Sequence, residues 1–369
     1  MSLCDQYCRG SKGPPDFGIS NKFVFSVTMS KPKIITIKDI ARKFNCSPST
    51  VSRALKDHPS INVYTRKHIQ EYAQKLGYQP NRVSLSLLNK KTYNVGVIVP
   101  NITGYFNAAI LDGIQTILEP QGYTVSIFQT KEFYEPEVSY IDNLLANRVD
   151  GIFASVSSET KDYSHFQRVL AQQVPLILFD RDCEIEAPTV RVDHYSGAVM
   201  AVEHLIQMGC KRIAHLKGPE GLSVTQERLT AYLDVLEKHG LDIREEYILP
   251  TGFRTFKGAY PTKKLLTLPE PPDGIFAVND NIAMAAMHVI REHGLTVPDD
   301  IAVIGFDDEP HAAYCFPTLS TIKQPTVDLG KEVAMLFLQQ VQAESVAIAK
   351  QEIVLPSELV IRNSSLKKR

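Results

Sequence analysis

The residues near the N-terminus that could do chemistry are small, polar and closely spaced. Ser47, Pro48, Ser49, Thr50, Ser52 and Arg53 fall within seven positions. Serine and threonine hydroxyls can bond a base edge or a phosphate oxygen, and an arginine can make a two-pronged contact with guanine. A helix enters the major groove of DNA only if its leading side chains are small or hydrogen-bonding. The chemistry on offer is the reading of double-stranded DNA.

Three short helices must position this set. Thr36-Ile37-Lys38-Asp39 has the capping-box arrangement, with Asp at the third position after the cap. Ile37, Ile40, Ala41 and Phe44 then fall on one helical face. Asn45-Cys46 makes a turn, Ser47 caps a second helix and Pro48 suits its first position. Val51, Ala54 and Leu55 point inward, which leaves the polar set outside. Asn62 caps a third helix whose apolar face is Ile69, Tyr72, Ala73 and Leu76, ended by Gly77 with Pro80 soon after. The three helix starts at Thr36, Ser47 and Asn62 offer backbone N–H groups to phosphate.

Charge points the same way. The 369 residues carry a net charge of −1, with Lys+Arg 40 against Asp+Glu 41. Yet residues 31–91 hold 13 Lys/Arg and three acids, a charge of +10. Residues 92–369 hold 24 basic and 36 acidic side chains, a charge of −12. A small basic module joined to a large acidic body implies a polyanionic partner for the module. Apolar content of 44% and charged content of 22% exclude disorder as the overall class. No stretch approaches the ~18 uninterrupted apolar residues of a membrane span.

The run Ile35–Leu87 resembles the DNA-binding head of the lac repressor family of bacterial transcription regulators. The distinctive parts are SPSTVSRALK (Ser47–Lys56), TRKHI (Thr65–Ile69) and LGYQPN (Leu76–Asn81). The resemblance puts Pro48, Ser49 and Arg53 at base-reading positions, with Arg53 carrying most direct specificity. It makes Asn81–Asn89 a hinge that becomes helical on operator DNA, with Leu87 wedged into the minor groove. Without that resemblance, packing of Leu85, Leu87 and Leu88 on the body is an equal reading.

From Val95 short apolar strands alternate with helical stretches: Val95–Val99, Val125–Phe128, Gly151–Ala154, Leu176–Phe179, Val190–Val192, Ile213–Leu216, Gly274–Val278 and Ile301–Gly305. That alternation is the mark of parallel sheets, and the length calls for two lobes. No phosphate-binding glycine loop, serine nucleophile elbow or zinc-protease motif is present, so neither an enzyme nor a cofactor is expected. His204, His215, His239, His288 and His293 are dispersed and read as surface or packing groups.

The body resembles the effector domain of the same family, itself like periplasmic sugar-binding proteins. The resemblance runs through VGVIVPNITGYF (Val95–Phe106), FDR (Phe179–Arg181), HLKGPEG (His215–Gly221), ERL (Glu227–Leu229), AVNDNIAMAAM (Ala277–Met287), IAVIGFDDEP (Ile301–Pro310) and PTLSTIKQP (Pro317–Pro325). It implies three crossings between lobes, near Asp193–Ser196, Ser320–Lys323 and Gln351–Leu355. It implies a ligand between the lobes, at the carboxyl ends of strands. There Asp180 and Asp307 would accept hydrogen bonds from paired hydroxyls, Arg228 would donate a planar fork, and Asn279 would do both. Tyr105, Phe106 and Phe253 offer flat apolar surface, Arg181 is a further lining residue, and Asp280 orients its loop. In purine-binding relatives an Arg or Thr stands in the loop after GP. Here Leu222 and Val224 take those positions, which favours a sugar or sugar phosphate over a nucleobase.

The expected architecture is α/β: a three-helix helix-turn-helix head (33–80), a hinge (81–92) and a two-lobed, periplasmic-binding-protein-like body with parallel sheets (93–363). The N-lobe is placed at 93–194 and 322–352, the C-lobe at 195–321 and 353–363. Residues 1–32 read as a disordered extension, of which 1–28 have no folding role, and 364–369 as a tail. Helices Ala108–Leu118 and Asn281–Glu292, with adjoining strands, are candidate contacts of a homodimer, and because no leucine heptad follows Val360 a dimer is expected in place of a tetramer. Residues 1–20 have no secretory core and the six cysteines form no C-x-x-C pair, which together imply free thiols in a reducing cytoplasm and no metal site. The expected partners are operator DNA, a sugar-like effector and a second copy of the chain, with no membrane.

Overall fold

A computed structural model describes residues 35–79, 91–253, 257–342 and 351–367. The chain divides into two compact units, the first ending at Asn81. Within the first, α1 (Ile37–Lys43), α2 (Pro48–Leu55) and α3 (Val63–Lys75) close on a small core. Ile40, Ala41, Val51, Ala54, Ile69 and Ala73 fill it, and the six are the inward positions of the helical periodicity. The first helix is fixed by Thr36, whose N–H and Oγ1 both donate to Asp39 Oδ2, at 3.0 and 2.7 Å. Ser47 Oγ accepts the Thr50 N–H at 3.1 Å, and Asn62 Oδ1 accepts the Tyr64 N–H at 2.9 Å. Asn45 turns the chain between α1 and α2 in the left-handed region, at φ 47°. The expected extension (1–32), Asn81, Leu87 and most of the hinge lie outside the described residues.

In the second unit strand and helix alternate as the apolar runs require. The first sheet is built from β1 (Asn94–Val99), β2 (Thr124–Gln129), β3 (Gly151–Ala154), β4 (Leu176–Phe179), β5 (Thr189–Val192) and β11 (Glu352–Leu355), in the order β11-β5-β4-β3-β1-β2. The second is built from β6 (Ile213–Lys217), β7 (Ile248–Pro250), β8 (Gly274–Ala277) and β9 (Ala302–Ile304), in the order β7-β6-β8-β9. Every pairing in both sheets is parallel. Short β10 (Thr321–Lys323) and β12 (Glu358–Val360) pair antiparallel beside them.

Around the first sheet lie α4 (Tyr105–Leu118), α5 (Tyr134–Ala146), α6 (Ser164–Ala171) and α11 (Thr326–Gln342). Around the second lie α7 (His194–Gln207), α8 (Ser223–Lys238), α9 (Ala259–Leu266) and α10 (Asp280–Glu292). Each sheet is buried on both faces, as parallel sheets are. Helices α4 and α11 pack backbone to backbone. A Cβ on Gly113 would fall 2.1 Å from Val327 O, and one on Gly330 would fall 2.1 Å from Ile110 O. The inner face of α4 is therefore spent on its own lobe.

Three details differ from expectation. Strand β11 pairs with β5 through Leu355, so the first lobe's share runs to Leu355 and the last crossing spans 355–358. A four-residue strand with only two core-facing positions carries too little pattern to place that boundary. The stretch taken as a tail from residue 364 is anchored. Ser364 and Ser365 are fully buried, Ser364 Oγ donates to Val303 O at 2.6 Å, and Ser365 Oγ meets His204 Nε2 at 2.7 Å. Helix α4 starts at Tyr105, three residues before the expected Ala108. Cys46, Cys183, Cys210 and Cys315 are free thiols. No helix among the described residues is long and apolar enough to cross a membrane.

The α4–α11 contact gives a direct test. Gly113→Ala gains helix propensity of about 1 kcal/mol, but its methyl cannot fit against the Val327 carbonyl without moving backbone. We expect a net loss of about 1–3 kcal/mol, read as a lower urea midpoint with unchanged slope. An unchanged midpoint would mean that the two helices separate freely.

Candidate functional site

The head presents its polar set as the periodicity requires. Val51 and Ala54 are buried, which leaves Pro48, Ser49 and Arg53 exposed on the other side of α2 and Thr50 and Ser52 partly so. Thr36 and Ser47 are exposed at their helix starts, as is Asn62. The hydroxyls are not idle: Ser47 Oγ lies 2.7 Å from Ser49 Oγ and 2.9 Å from Thr50 Oγ1. That cluster preorganises the N-terminus of α2, and DNA contact by these groups requires exchanging or sharing the bonds. Arg53 makes no ion pair among the described residues.

In the body, a cavity of about 460 Å³ opens where the carboxyl ends of the two sheets face one another. Loops after β1, β2, β3 and β4 supply one wall, and loops after β6, β7, β8 and β9 the other. Phe106, Asp180, Arg181, Arg228, Phe253, Asn279 and Asp307 all line it. Tyr105 does not: as the first residue of α4 it is 44% exposed, while its neighbour Phe106 turns inward. Its contribution is a backbone N–H bonded to the Glu309 carboxylate.

The two aspartates occupy matching places. Each follows a strand in its lobe and each takes a positive φ, 60° for Asp180 and 119° for Asp307. The Asp180 N–H donates to Val190 O at 3.0 Å, and the Asp307 N–H to Ile322 O at 2.8 Å. Both side chains are thereby turned off the strand and into the cleft. Such backbone settings cost energy in a residue other than glycine and collect at binding sites.

Arg228 of α8, 4% exposed, lines the same cavity and acts electrostatically on both aspartates. One terminal nitrogen donates to Val278 O at 2.5 Å and the other to His194 Nδ1 at 3.2 Å. Its guanidinium lies 3.7 Å from the Phe306 ring centre. Its buried Nε has no partner among the described residues. Arginine is a donor only, so His194 must accept on Nδ1 and carry its proton on Nε2, which faces Asp180 Oδ1 at 4.0 Å. Burial, with Arg228 nearby, holds His194 well below the usual imidazole range, hence neutral.

Burial also raises both carboxyls. Asp180 is pushed up by desolvation, opposed by Arg181 and Arg228. Asp307 is pushed up to about 7 by desolvation, opposed by Arg228 and by the Gln324 amide, which donates at 2.6 Å. Arg181 is held by Glu132, with bonds of 2.7 and 3.1 Å, and lies 5.0 Å from the Phe253 ring centre. Desolvation costs charged groups heavily, so a buried set like this wants further polar partners. The cleft offers acceptors, donors and aromatic faces together, which suits a small polyol.

Sequence reasoning missed several lining residues, among them Asn101, Lys131, Glu132, Lys257, Glu309 and Gln324. The first three follow strand ends, so the rule that found Asp180 could have found them. Gln324 sits just past β10, whose Thr-Ile-Lys sequence is no apolar run to be read as a strand. His194 was missed as well, and its position directly after β5 was the available signal. Asp280 behaves as expected: buried, it accepts the Glu309 N–H at 2.7 Å and the Thr321 hydroxyl at 2.5 Å, which fixes its loop. Val224 lines the cavity and Leu222 is buried. Among the described residues no three or more His, Cys, Asp or Glu side chains converge as a metal site.

Asp307 gives a pH test with a definite sign. Its carboxyl is raised from 3.8 to about 7, so stability present at low pH is lost as pH rises toward and through 7. Asp307→Asn removes that loss. The variant's melting temperature should gain on the wild type between pH 4 and pH 8, with no gain at the acid end. A pH-independent difference would exclude burial of this carboxyl as the cause.

Comparison with known proteins agrees with both halves. Residues 36–81 match the family described as bacterial regulatory proteins, lacI family, and residues 202–365 match a periplasmic binding protein-like domain. The chain is 32% identical over 332 residues to the HTH-type transcriptional repressor CytR of Escherichia coli strain K12, covering 89% of this chain and 96% of that one. The lac repressor dimer bound to operator and an anti-inducer superposes with a TM-score of 0.82 at 28% identity, covering 90% of this chain and 100% of that one. A lacI-family regulator from Enterococcus faecium with bound ribose gives 0.67 at 26% identity, covering 75% and 100%. With a DNA-reading head, a two-lobed cleft and relatives matched along nearly their whole length, the chain belongs to the lacI family of DNA-binding transcriptional regulators.

Proposed function

We propose that this protein is a repressor whose operator affinity is set by a sugar-like molecule bound in the cleft. The observation that carries the reading is the convergence of Asp180 from one lobe with Arg228, Asn279 and Asp307 from the other on one cavity. The Enterococcus faecium relative holds ribose, which supports a sugar as the ligand class. The ligand is bound and not transformed. It leaves its mark by changing how the lobes sit against each other, which needs only about 1–3 kcal/mol of coupling to matter.

On this reading Thr36, Ser47, Ser49, Thr50, Ser52 and Asn62 position the head on phosphate and base edges, while Arg53 reads guanine. Asn81 and Leu87 belong to the hinge. Phe106, Asp180, Arg181, Arg228, Phe253, Asn279 and Asp307 hold the effector. One head reads few base pairs, so two copies acting on a near-palindrome supply the missing specificity. The solved lac repressor–operator complex is a dimer, which supports the same state here. The protein acts in the cytoplasm, on chromosomal DNA.

Two outcomes test this. In a melting screen, a sugar at about 100 times its Kd should stabilise the protein by about 2.7 kcal/mol and shift its operator affinity. A binder that leaves operator affinity unchanged would reject the regulatory role of the cleft. Arg53→Ala should weaken operator binding by about 1–3 kcal/mol and relax choice at one base pair per half-site. Equal weakening on all sequences would make Arg53 a phosphate contact.

A further inference from the structure

We propose that Lys131 and Lys257 form an anion subsite on the rim of the cleft, so that the sugar bound there carries a carboxylate or a phosphate. This rests on the reading of the cleft as a sugar site. Four cations line the cavity: Lys131, Arg181, Arg228 and Lys257. Two are committed. Arg181 is held by Glu132, and Arg228 gives its two terminal nitrogens to Val278 O and His194 Nδ1. Lys131 and Lys257 are exposed, and neither makes an ion pair with an acid among the described residues, the rim acid Glu159 included.

The two lysines come to the cleft from opposite lobes. Lys131 follows β2 in the first lobe, its backbone is set at φ 58°, and its N–H donates to Pro100 O at 3.0 Å. Lys257 belongs to the second lobe, and its stem lies across Gly252. A Cβ on Gly252 would fall 2.7 Å from Lys257 Cδ and 3.3 Å from Nζ. A glycine there leaves room for the lysine to lie against the cleft wall. The floor, by contrast, holds the carboxyls of Asp180 and Asp307, and the terminal nitrogens of Arg228 there are already bonded to Val278 O and His194. A ligand with hydroxyls at one end and a negative group at the other therefore has one orientation, hydroxyls to the floor and anion to the rim. An anion reached by both lysines also ties the two lobes together.

The test is calorimetry on the full chain with glucose, galactose and ribose, the two hexuronates, and the 6- and 5-phosphates of the same sugars. At least one anionic member should bind about tenfold or more tightly than its neutral parent. Which of the uronate and the phosphate wins separates the two sources of charge. Lys131→Gln and Lys257→Gln should each lower affinity for that anion severalfold while leaving the neutral parent within twofold. Gly252→Ala should copy the Lys257 effect by displacing its stem. Added salt should weaken the anion and not the neutral sugar. Neutral sugars binding as tightly as both anions, with the lysine variants unchanged, would overturn the subsite and leave the sugar reading standing. If no member of the panel bound, neutral or charged, the sugar reading would fall and the subsite with it.

Discussion

The body is organised around one uncomfortable arrangement of charge. Asp180 of one lobe and Asp307 of the other both feel the field of Arg228, with Asp180 and Arg228 buried and Asp307 half-buried. Charges buried in this way are expensive unless each is paired and its remaining donors and acceptors are met. Here they are not all met: Arg228 Nε and His194 Nε2 lack partners among the described residues. The two sheets must therefore present their carboxyl ends to each other, with both aspartates turned inward by left-handed backbone. A polar ligand completes the set that the protein leaves open. On the proposed reading its arrival changes the balance between lobes, because Asp180 comes from one and Arg228, Asn279 and Asp307 from the other.

The same constraint explains which residues could be read from sequence. Asp180, Asp307 and Asn279 each follow a clear apolar run, and a parallel sheet places such residues at its binding end. Arg228 follows from the helix after the GPEG turn. Tyr105 failed because adjacent residues on a helix face about 100° apart, and the run alone does not say which of Tyr105 and Phe106 turns inward. His194 offered only its place after β5, and Gln324 offered less. They stand at the passages between lobes, where residues far apart in sequence meet and local pattern says little. The short strands β7, β10, β11 and β12 were illegible because they are partly exposed and not unbroken apolar runs like the similarly short β3, β4 and β8, so only pairing partners define them.

The head was legible almost throughout, since it is made of local rules. Caps at Thr36, Ser47 and Asn62, and one apolar face per helix, are short-range facts. What the residues did not show was the mutual bonding of Ser47, Ser49 and Thr50. On the proposed reading the hydroxyls that would face the groove start from a bonded state, so their exchange for DNA contacts would net little free energy. Specificity would then fall more heavily on Arg53, while the +10 charge of residues 31–91 would supply salt-sensitive attraction to any duplex.

The proposed control works only if cleft and operator are linked, and linkage is reciprocal. The most direct measurement is therefore the affinity of a cleft ligand for the free protein and for the protein saturated with operator. The two affinities should differ by the same factor by which that ligand shifts operator binding. Equal affinities, with ligand and operator both bound, would show that the cleft and the head act independently and would contradict effector control.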